Sequence, residues 1–173
     1  KGELNRRNID RRDIADGKTF YVNDIAVTPI QIPHDANPTF GFIFEYQDKR
    51  AGFFTDLGNP DSLIANNTLG DLDELVLESN YDAEMLATGH YPRALKQRVS
   101  SDLGHLSNLQ AAEAIQQGAS ARLKKLTLAH LSKKSNAPLL ARECMQQALN
   151  ASGLQHVELL LAPARGPIKA EQF

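Results

Sequence analysis

Four apolar, strand-like runs in this chain end in a residue that can bind a metal ion or transfer a proton. The four residues are His34, Asp56, Glu78 and His130. In a sheet faced by helices, ligands gather beyond one end of the strands. Each residue taken singly also has a structural explanation, such as a helix cap or a hydrogen bond in a turn. Their recurrence at four strand ends favours one shared site.

The order of the predicted elements indicates an α/β fold in a single domain over residues 1–173. The early part is rich in hairpins, and the later part alternates helix and strand. Pro29 predicts an edge strand or a bulge, because proline lacks the N–H that a sheet ladder needs. The predicted strands cover 19–22, 25–32, 40–46, 51–56, 72–78, 125–131 and 156–161, and the main predicted helices cover 82–88, 92–100, 107–118 and 137–152.

Composition limits the possible classes of protein and partner. The 173 residues are enough for one domain with a core, and the formal net charge of −2 gives no global signal for nucleic acid. The single cysteine, Cys144, excludes an internal disulfide and fits a reducing compartment. The sequence has no apolar run long enough to span a bilayer. We therefore expect a cytoplasmic protein that does not enter a membrane.

A second histidine-bearing stretch precedes the last of the four strand ends. His105 lies on a Gly-His turn just before a predicted helix, and Ser107 and Asn108 offer N-cap chemistry for that helix. A helix start presents free N–H groups to which a phosphate can bind. Imidazole and carboxylate ligands suit Zn²⁺ or Mn²⁺, which lower the pKa of water and supply hydroxide to attack a phosphodiester. His105, held by Glu78, would protonate the departing oxygen.

Short motifs across most of the chain, from about Phe20 onward, resemble the later motifs of the metallo-β-lactamase fold. The likeness is strongest to the WalJ/YycJ-type exonuclease branch, which is related to ribonuclease Z. The Gly-His-Leu-Ser-Asn and Ala-His-Leu-Ser blocks, in this order, are the specific part of it. The motifs are His34-Asp35-Ala36, Thr55-Asp56-Leu57-Gly58, Glu78 to Asp82, Tyr91-Pro92, Ser101 to Asn108 and Leu128 to Ser132.

The resemblance implies a role for each candidate. His34 would belong to the first metal site, Asp56 would bridge two divalent ions, and His130 would bind the second ion. Glu78 and His105 match the Glu-His pair near the scissile phosphate of ribonuclease Z. Ser107 and Asn108 would lie where the phosphate docks. The resemblance also implies a nucleic acid substrate, with DNA favoured over RNA.

One departure from the family pattern changes these expectations. The His-x-His-x-Asp-His motif is absent from the sequence, so we expect a partial αββα sandwich that lacks its N-terminal strands and first metal-binding loop. Each of the two metal ions would keep one histidine and the shared Asp56, whereas catalytic zinc usually has three or more protein ligands. We therefore expect this chain alone to bind metal weakly or not at all and to be inactive or nearly so. Half of a sandwich would also expose an apolar sheet face.

Three functions remain open at the level of the sequence. The first is a metal-dependent nuclease, most consistent with a DNA exonuclease. The second keeps the fold but acts on a cyclic nucleotide or another small phosphodiester. The third is a degenerate domain without catalysis that binds nucleic acid or a protein partner, which the absent motif favours and the retention of Asp56, Glu78, His105 and His130 opposes.

Overall fold

A seven-stranded sheet in sequential order, β1 to β7, organises the computed structural model, which describes residues 13–36 and 38–163. The strands are β1 (Phe20–Val22), β2 (Ile25–Ile32), β3 (Thr39–Tyr46), β4 (Lys49–Phe54), β5 (Glu74–Glu78), β6 (Lys125–Ala129) and β7 (Glu158–Leu161). The helices are α1 (Asp61–Ala65), α2 (Ala83–Thr88), α3 (Arg93–Val99), α4 (Asn108–Gly118) and α5 (Pro138–Ala151). The mixture confirms the predicted α/β class.

The directions of the strands place five carboxyl ends at one edge of the sheet. β1 to β4 form an antiparallel meander, so β2 and β4 run the same way. β4 to β7 are parallel, with helical connections between them. We call the edge where β2, β4, β5, β6 and β7 end the carboxyl rim. The parallel half of the sheet thus brings the ends of segments far apart in sequence to the same place.

The core lies between one face of the sheet and the two longest helices. Alternate side chains of the central strands, such as Ile43, Leu75 and Leu126, point to this face and are fully or almost fully buried. Ile115 of α4 and Met145 of α5 belong to the same buried cluster. Burial of leucine and isoleucine side chains supplies about 1.5–3 kcal/mol each. This packing fixes the strands whose ends form the carboxyl rim.

The other face of the sheet carries aromatic side chains. Phe44 and Phe53 lie on neighbouring strands and are 38% and 43% exposed, while their neighbours in sequence, Ile43 and Phe54, are buried toward the helices. This alternation follows from the period of two in a β-strand. The exposed apolar face expected of half a sandwich is therefore found.

Pro29 lies in β2 without the predicted bulge. It pairs in regular register with Phe42 of β3. The pairing of β1 with β2 ends at Val27, so the edge of Pro29 that faces β1 has no strand partner. The Pro29 carbonyl on that edge instead accepts a hydrogen bond of 2.8 Å from the N–H of Gly17. The missing N–H of the proline therefore costs no ladder bond, although β2 is not an edge strand.

Two leucines that the helical patterns predict to be buried are exposed, Leu109 in α4 and Leu140 in α5, the latter at 38%. The sequence pattern places Leu109 on the buried face of α4 with Ala112 and Ile115, but Leu109 is 60% exposed. Ala111 and Ala114 are fully buried instead. At about 100° per residue the buried arc centres near Ala111 and Ile115, and Leu109 falls outside it.

None of the helices in the described ranges has the length and apolar composition needed to cross a bilayer.

Candidate active site

Five predicted site residues come together at the carboxyl rim: His34, Asp56, Glu78, His105 and His130. Glu78 is the last residue of β5, His130 directly follows β6, and His34 and Asp56 follow β2 and β4 by two residues. His105 comes from the loop before α4. The His105 ring centroid lies 5.3 Å from that of His34 and 5.2 Å from that of His130. The three imidazoles therefore form a continuous row along the rim.

Glu78 holds two of these imidazoles from below. The side chain is fully buried, and its Oε1 accepts hydrogen bonds from Nδ1 of His105, 2.9 Å, and from Nδ1 of His130, 2.5 Å. Its Oε2 accepts from the N–H groups of Leu57, 2.8 Å, and Leu106, 3.4 Å. With both Nδ1 atoms donating to Glu78, the lone pairs of the two rings lie on Nε2.

The contacts within this cluster favour the ionised form of Glu78 and the protonated form of His130. Burial raises the pKa of Glu78, but hydrogen bonds from His105 and His130 and from the Leu57 N–H outweigh it, so the pKa lies below its ordinary value. The hydrogen bond to Glu78 raises the pKa of His130; burial opposes this, and the charges of Glu78 and Asp56 reinforce it. An ionised carboxylate can therefore persist in the core beneath the rim.

Asp56 lies among all three imidazoles. Its Oδ1 is 3.6 Å from Nδ1 of His130 and 3.9 Å from both Nδ1 of His105 and Nε2 of His34. Asp56 and His130 both adopt left-handed backbone conformations, with φ of 56° and 58°. Such conformations in residues other than glycine store strain and concentrate at functional sites. The chain thus accepts two unfavourable conformations to place these two side chains.

The set of ligand atoms fits a divalent cation. Ligand atoms from Asp56, Glu78, His105 and His130 all lie within 4.8 Å of one another. Imidazole nitrogen and carboxylate oxygen together suit Zn²⁺ or Mn²⁺. This group differs from the predicted ligands, His34, Asp56 and His130, because it includes Glu78 and His105 and does not include His34. The division of these residues into metal ligands and proton donors stays a prediction.

His34 is anchored by the loop that carries His105. Its Nδ1 donates to the carbonyl of Gly104, 3.0 Å, which leaves Nε2 facing the carboxylates of Asp35, 3.5 Å, and Asp56. Asp35 in turn forms an ion pair with Arg98 of α3. The hydrogen bond from Arg98 and, to a smaller extent, the charge of that guanidinium lower the pKa of Asp35. One end of the imidazole row is therefore tied to α3.

Ser107 and Asn108 lie deeper than the substrate-binding role suggests. Both are buried. The Ser107 hydroxyl caps α4 through the N–H of Gln110, and the Gln110 side chain returns a bond to the Ser107 N–H. The Asn108 side chain bonds to Ser79 and Asn136. A phosphate would have to displace one of these partners, so their role in substrate binding stays a prediction without a free group to support it.

The sequence reasoning did not identify two asparagines that support His130. The Asn80 side chain donates to the His130 carbonyl, 2.8 Å, and the buried Asn136 side chain donates to the carbonyls of Ser79 and Asn80. Asn80 follows Glu78 by two residues, and this position at a strand end was the available signal. Asn136 lies 57 and 56 residues from the Ser79 and Asn80 carbonyls that it binds, so its role had no signal in the sequence. Together they fix the turn that aims His130.

The chain is similar in sequence to known proteins over about four fifths of its length. The sequence pattern of the family described as the β-lactamase superfamily domain matches residues 2–131. The chain is 38% identical over 138 residues to the exodeoxyribonuclease WalJ of Streptococcus pneumoniae, covering 80% of this chain and 51% of that protein. It is 35% identical over 140 residues to the exodeoxyribonuclease YycJ of Bacillus anthracis, covering 81% and 52%. The chain thus spans about half the length of these curated relatives.

Two solved structures share the fold at low sequence identity. One is the metallo-β-lactamase fold protein YhfI from Bacillus subtilis, with a TM-score of 0.63, 16% identity and coverage of 86% of this chain and 51% of that one. The other is Zn²⁺-bound PqqB from Methylobacterium extorquens, with a TM-score of 0.61, 17% identity and coverage of 92% and 56%. These likenesses concern the path of the backbone.

Proposed function

The chain belongs to the β-lactamase superfamily domain family, and from this premise we propose that it hydrolyses phosphodiester bonds with the help of divalent metal ions, with DNA as its substrate. The observation that carries the proposal is the row of three imidazoles around Asp56 at the carboxyl rim, two of which, His105 and His130, are held by buried Glu78. The names of the two exodeoxyribonuclease relatives support DNA and digestion from an end.

His34, Asp56 and His130 are the residues that would hold the cations. The Nε2 atom of His34 faces Asp56, and Nε2 of His130 carries the lone pair because Nδ1 is bonded to Glu78. Bound Zn²⁺ or Mn²⁺ would supply a Lewis acid that lowers the pKa of water and neutralises phosphate charge. The negative charge of Asp56 favours any cation between these imidazoles.

His105 would protonate the departing oxygen of the phosphodiester. Glu78 fixes the ring through Nδ1, at 2.9 Å, so that Nε2 is the atom left to hold and release a proton. The carboxylate below also supplies the negative charge that a protonated ring needs. A group positioned for proton transfer in this way contributes about 10²–10⁴-fold to rate.

Metal binding by this chain should be weak. Three protein ligands or more are usual for catalytic zinc, whereas two ions would have to share His34, Asp56 and His130. Hydrolysis by the chain should therefore be slow and should need added metal.

The half-buried Cys144 of α5 agrees with a reducing compartment and with the predicted cytoplasmic location.

The experiment that tests this function measures cleavage under enzyme excess. Duplex DNA with and without a 5′-phosphate, RNA of the same sequence, and a cyclic nucleotide are incubated with the chain and Mn²⁺ or Zn²⁺. We expect slow, metal-dependent release of nucleotides from DNA, lost in Asp56→Asn and on chelation. Asp102→Asn, an exposed carboxylate on the neighbouring loop, is the matched control.

The other possible results separate the competing functions. Faster turnover of the cyclic nucleotide than of DNA would assign the site to a small phosphodiester. DNA binding without any metal-dependent cleavage, and without stabilisation by Mn²⁺, would identify a binding domain that does not catalyse. Cleavage that persists in Asp56→Asn would contradict the proposed use of the rim.

A further inference from the structure

A second cavity lies beside the imidazole row. The cleft that contains His105 and His130 has a volume of about 240 Å³. On the far side of His130 is a larger cavity of about 630 Å³, which we call the side cavity. The two share the segment His130, Leu131 and Ser132. A molecule that occupied both would therefore pass directly over His130.

The walls of the side cavity are mostly apolar. They include Leu131 after β6, Pro138 at the start of α5, and Leu161, Ala162 and Pro163 at the end of β7. Small-molecule sites in proteins are typically cavities of about 300–1,000 Å³ with apolar walls and few polar groups. The side cavity has the size and surface of a site for a planar or compact organic group rather than for a bare ion.

Two of the polar wall residues, Ser132 and Asn136, form hydrogen bonds within the protein. The Ser132 hydroxyl oxygen accepts hydrogen bonds from the N–H groups of Lys134 and Ser135. The Asn136 amide donates to the carbonyls of Ser79 and Asn80. The walls therefore provide an apolar surface but few hydrogen-bonding groups that could distinguish one base from another.

Lys133 adds positive charge to this cavity. It belongs to the exposed turn between β6 and α5 and lines the cavity together with His130. A lysine ammonium attracts phosphate oxygens without selecting a base. The combination of apolar walls, one cation and an adjoining imidazole row matches a nucleotide, whose base is apolar on its faces and whose phosphate is anionic.

We propose that the side cavity binds the nucleoside next to the scissile phosphate, so that its phosphate lies in the cleft at His105 and His130. The assignment rests on the proposed function in supposing that a phosphodiester is cleaved there. Because Ser132 and Asn136 have internal partners, the cavity accepts any of the four bases. It thereby gives a nucleotide chain an advantage over a small phosphodiester that lacks a nucleoside.

Equilibrium binding to the whole 173-residue chain tests this inference without requiring catalysis. The ligands are the mononucleotides dAMP and dTMP, with inorganic phosphate as the reference. Ala162→Phe fills the side cavity from the segment that follows β7, and Ala151→Phe, at the exposed end of α5, is the matched control. We expect Ala162→Phe to weaken binding of both mononucleotides about tenfold, equivalent to about 1.4 kcal/mol, and to leave phosphate binding unchanged.

A charge variant provides a second test in case the larger side chain disturbs folding. Lys133→Ala in the exposed turn should weaken mononucleotide binding several-fold at low salt and less at high salt, because it removes a charge that attracts the phosphate in the adjoining cleft and salt screens that attraction. Lys49→Ala, an exposed lysine at the opposite edge of the sheet, should have no effect.

The results separate this inference from the proposed function. If mononucleotides bind no better than phosphate, or if Ala162→Phe and Lys133→Ala both bind them as the wild type does, the side cavity is not the nucleoside site. That result would leave metal-dependent cleavage standing. If mononucleotides bind and respond to both variants while no metal-dependent cleavage occurs, the nucleoside site stands and the proposed function fails. Strong preference for one base would also overturn the inference.

Discussion

The Oε1 atom of Glu78 lies 2.5 Å from Nδ1 of His130, and the same oxygen accepts a hydrogen bond from His105. One buried carboxylate thus sets the orientation of two imidazoles that are predicted to do different work. The oxygen that bonds the rings cannot be moved without disturbing both. This coupling distinguishes Glu78 from a carboxylate that serves a single histidine.

Glu78→Gln should disturb the site and the core together. The amide keeps the shape but removes the charge, and one of its two ends is a donor where the carboxylate only accepted. We expect unfolding free energy to fall by about 1–3 kcal/mol, because buried partners lose bonds to a charged group. Metal affinity should fall as well, because the ring of His130 loses its fixed orientation. Chemical denaturation and metal titration measure the two effects.

Glu74→Gln is the matched control for this change. Glu74 lies at the other end of β5 and is exposed, so its substitution should change stability by less than about 0.5 kcal/mol. Equal loss of stability in both variants would show that the hydrogen bonds of Glu78 do not stabilise the fold.

Substitution of His105 and substitution of His130 should have different effects on metal binding and turnover. His130→Ala should weaken binding of Mn²⁺ or Zn²⁺, because it removes a predicted ligand. His105→Ala should leave most of the metal affinity and slow turnover about 10²–10⁴-fold, the usual effect of losing a general acid. Metal content and cleavage rate are measured on the same preparations. Equal loss of metal in both variants would refute this division.

Gly104→Ala should displace the loop that carries His105. A Cβ on Gly104 would lie 2.3 Å from the carbonyl oxygens of both Arg98 and Val99, which are backbone atoms and cannot yield independently. We expect a loss of about 1–3 kcal/mol, as for overpacking, and a shifted histidine environment seen by NMR. Gly118→Ala is the control, since the atoms nearest to its Cβ belong to the side chain of Leu69, at 3.0 Å and beyond, and not to the backbone. Similar losses in both would contradict this account.

Asp73 should make stability depend on pH. Burial raises the pKa of Asp73, but hydrogen bonds from the Arg50 N–H and the Arg122 guanidinium outweigh it and lower the pKa below 3.8. A lowered pKa means stabilisation that is complete above the ordinary value and is lost as pH falls through the folded-state value. Asp73→Asn should therefore cost about 1 kcal/mol at pH 7, because the pairs lie near solvent.

The stability difference between wild type and Asp73→Asn should shrink as the pH falls below about 4. Urea denaturation at several pH values measures it, with Asp102→Asn as an exposed control. A difference that stays constant down to pH 2 would show that the charge of Asp73 is not the source of the stabilisation.

Much of the site could be predicted because it follows from local patterns. Apolar runs identified the strands, and the residue at the end of each strand had to lie at the carboxyl rim once the strands ran in parallel. This reasoning placed His34, Asp56, Glu78 and His130 correctly along one edge. The surroundings of Ser107 and Asn108 could not be predicted, because their cap and their buried partners come from Gln110 and Asn136.

The sequence by itself determined the α/β class, the order of the strands' ends and the chemical types gathered there. Only the tertiary structure decided that Glu78 would join His105 to His130, which lie 27 and 52 residues further along the chain. It also decided that Leu109 would face solvent and that a cavity would open beside His130. The physical reason is that periodicity records which way a side chain points relative to its own backbone. The partner it meets is set by segments distant in sequence, which pack together only when the sheet and helices close on one another.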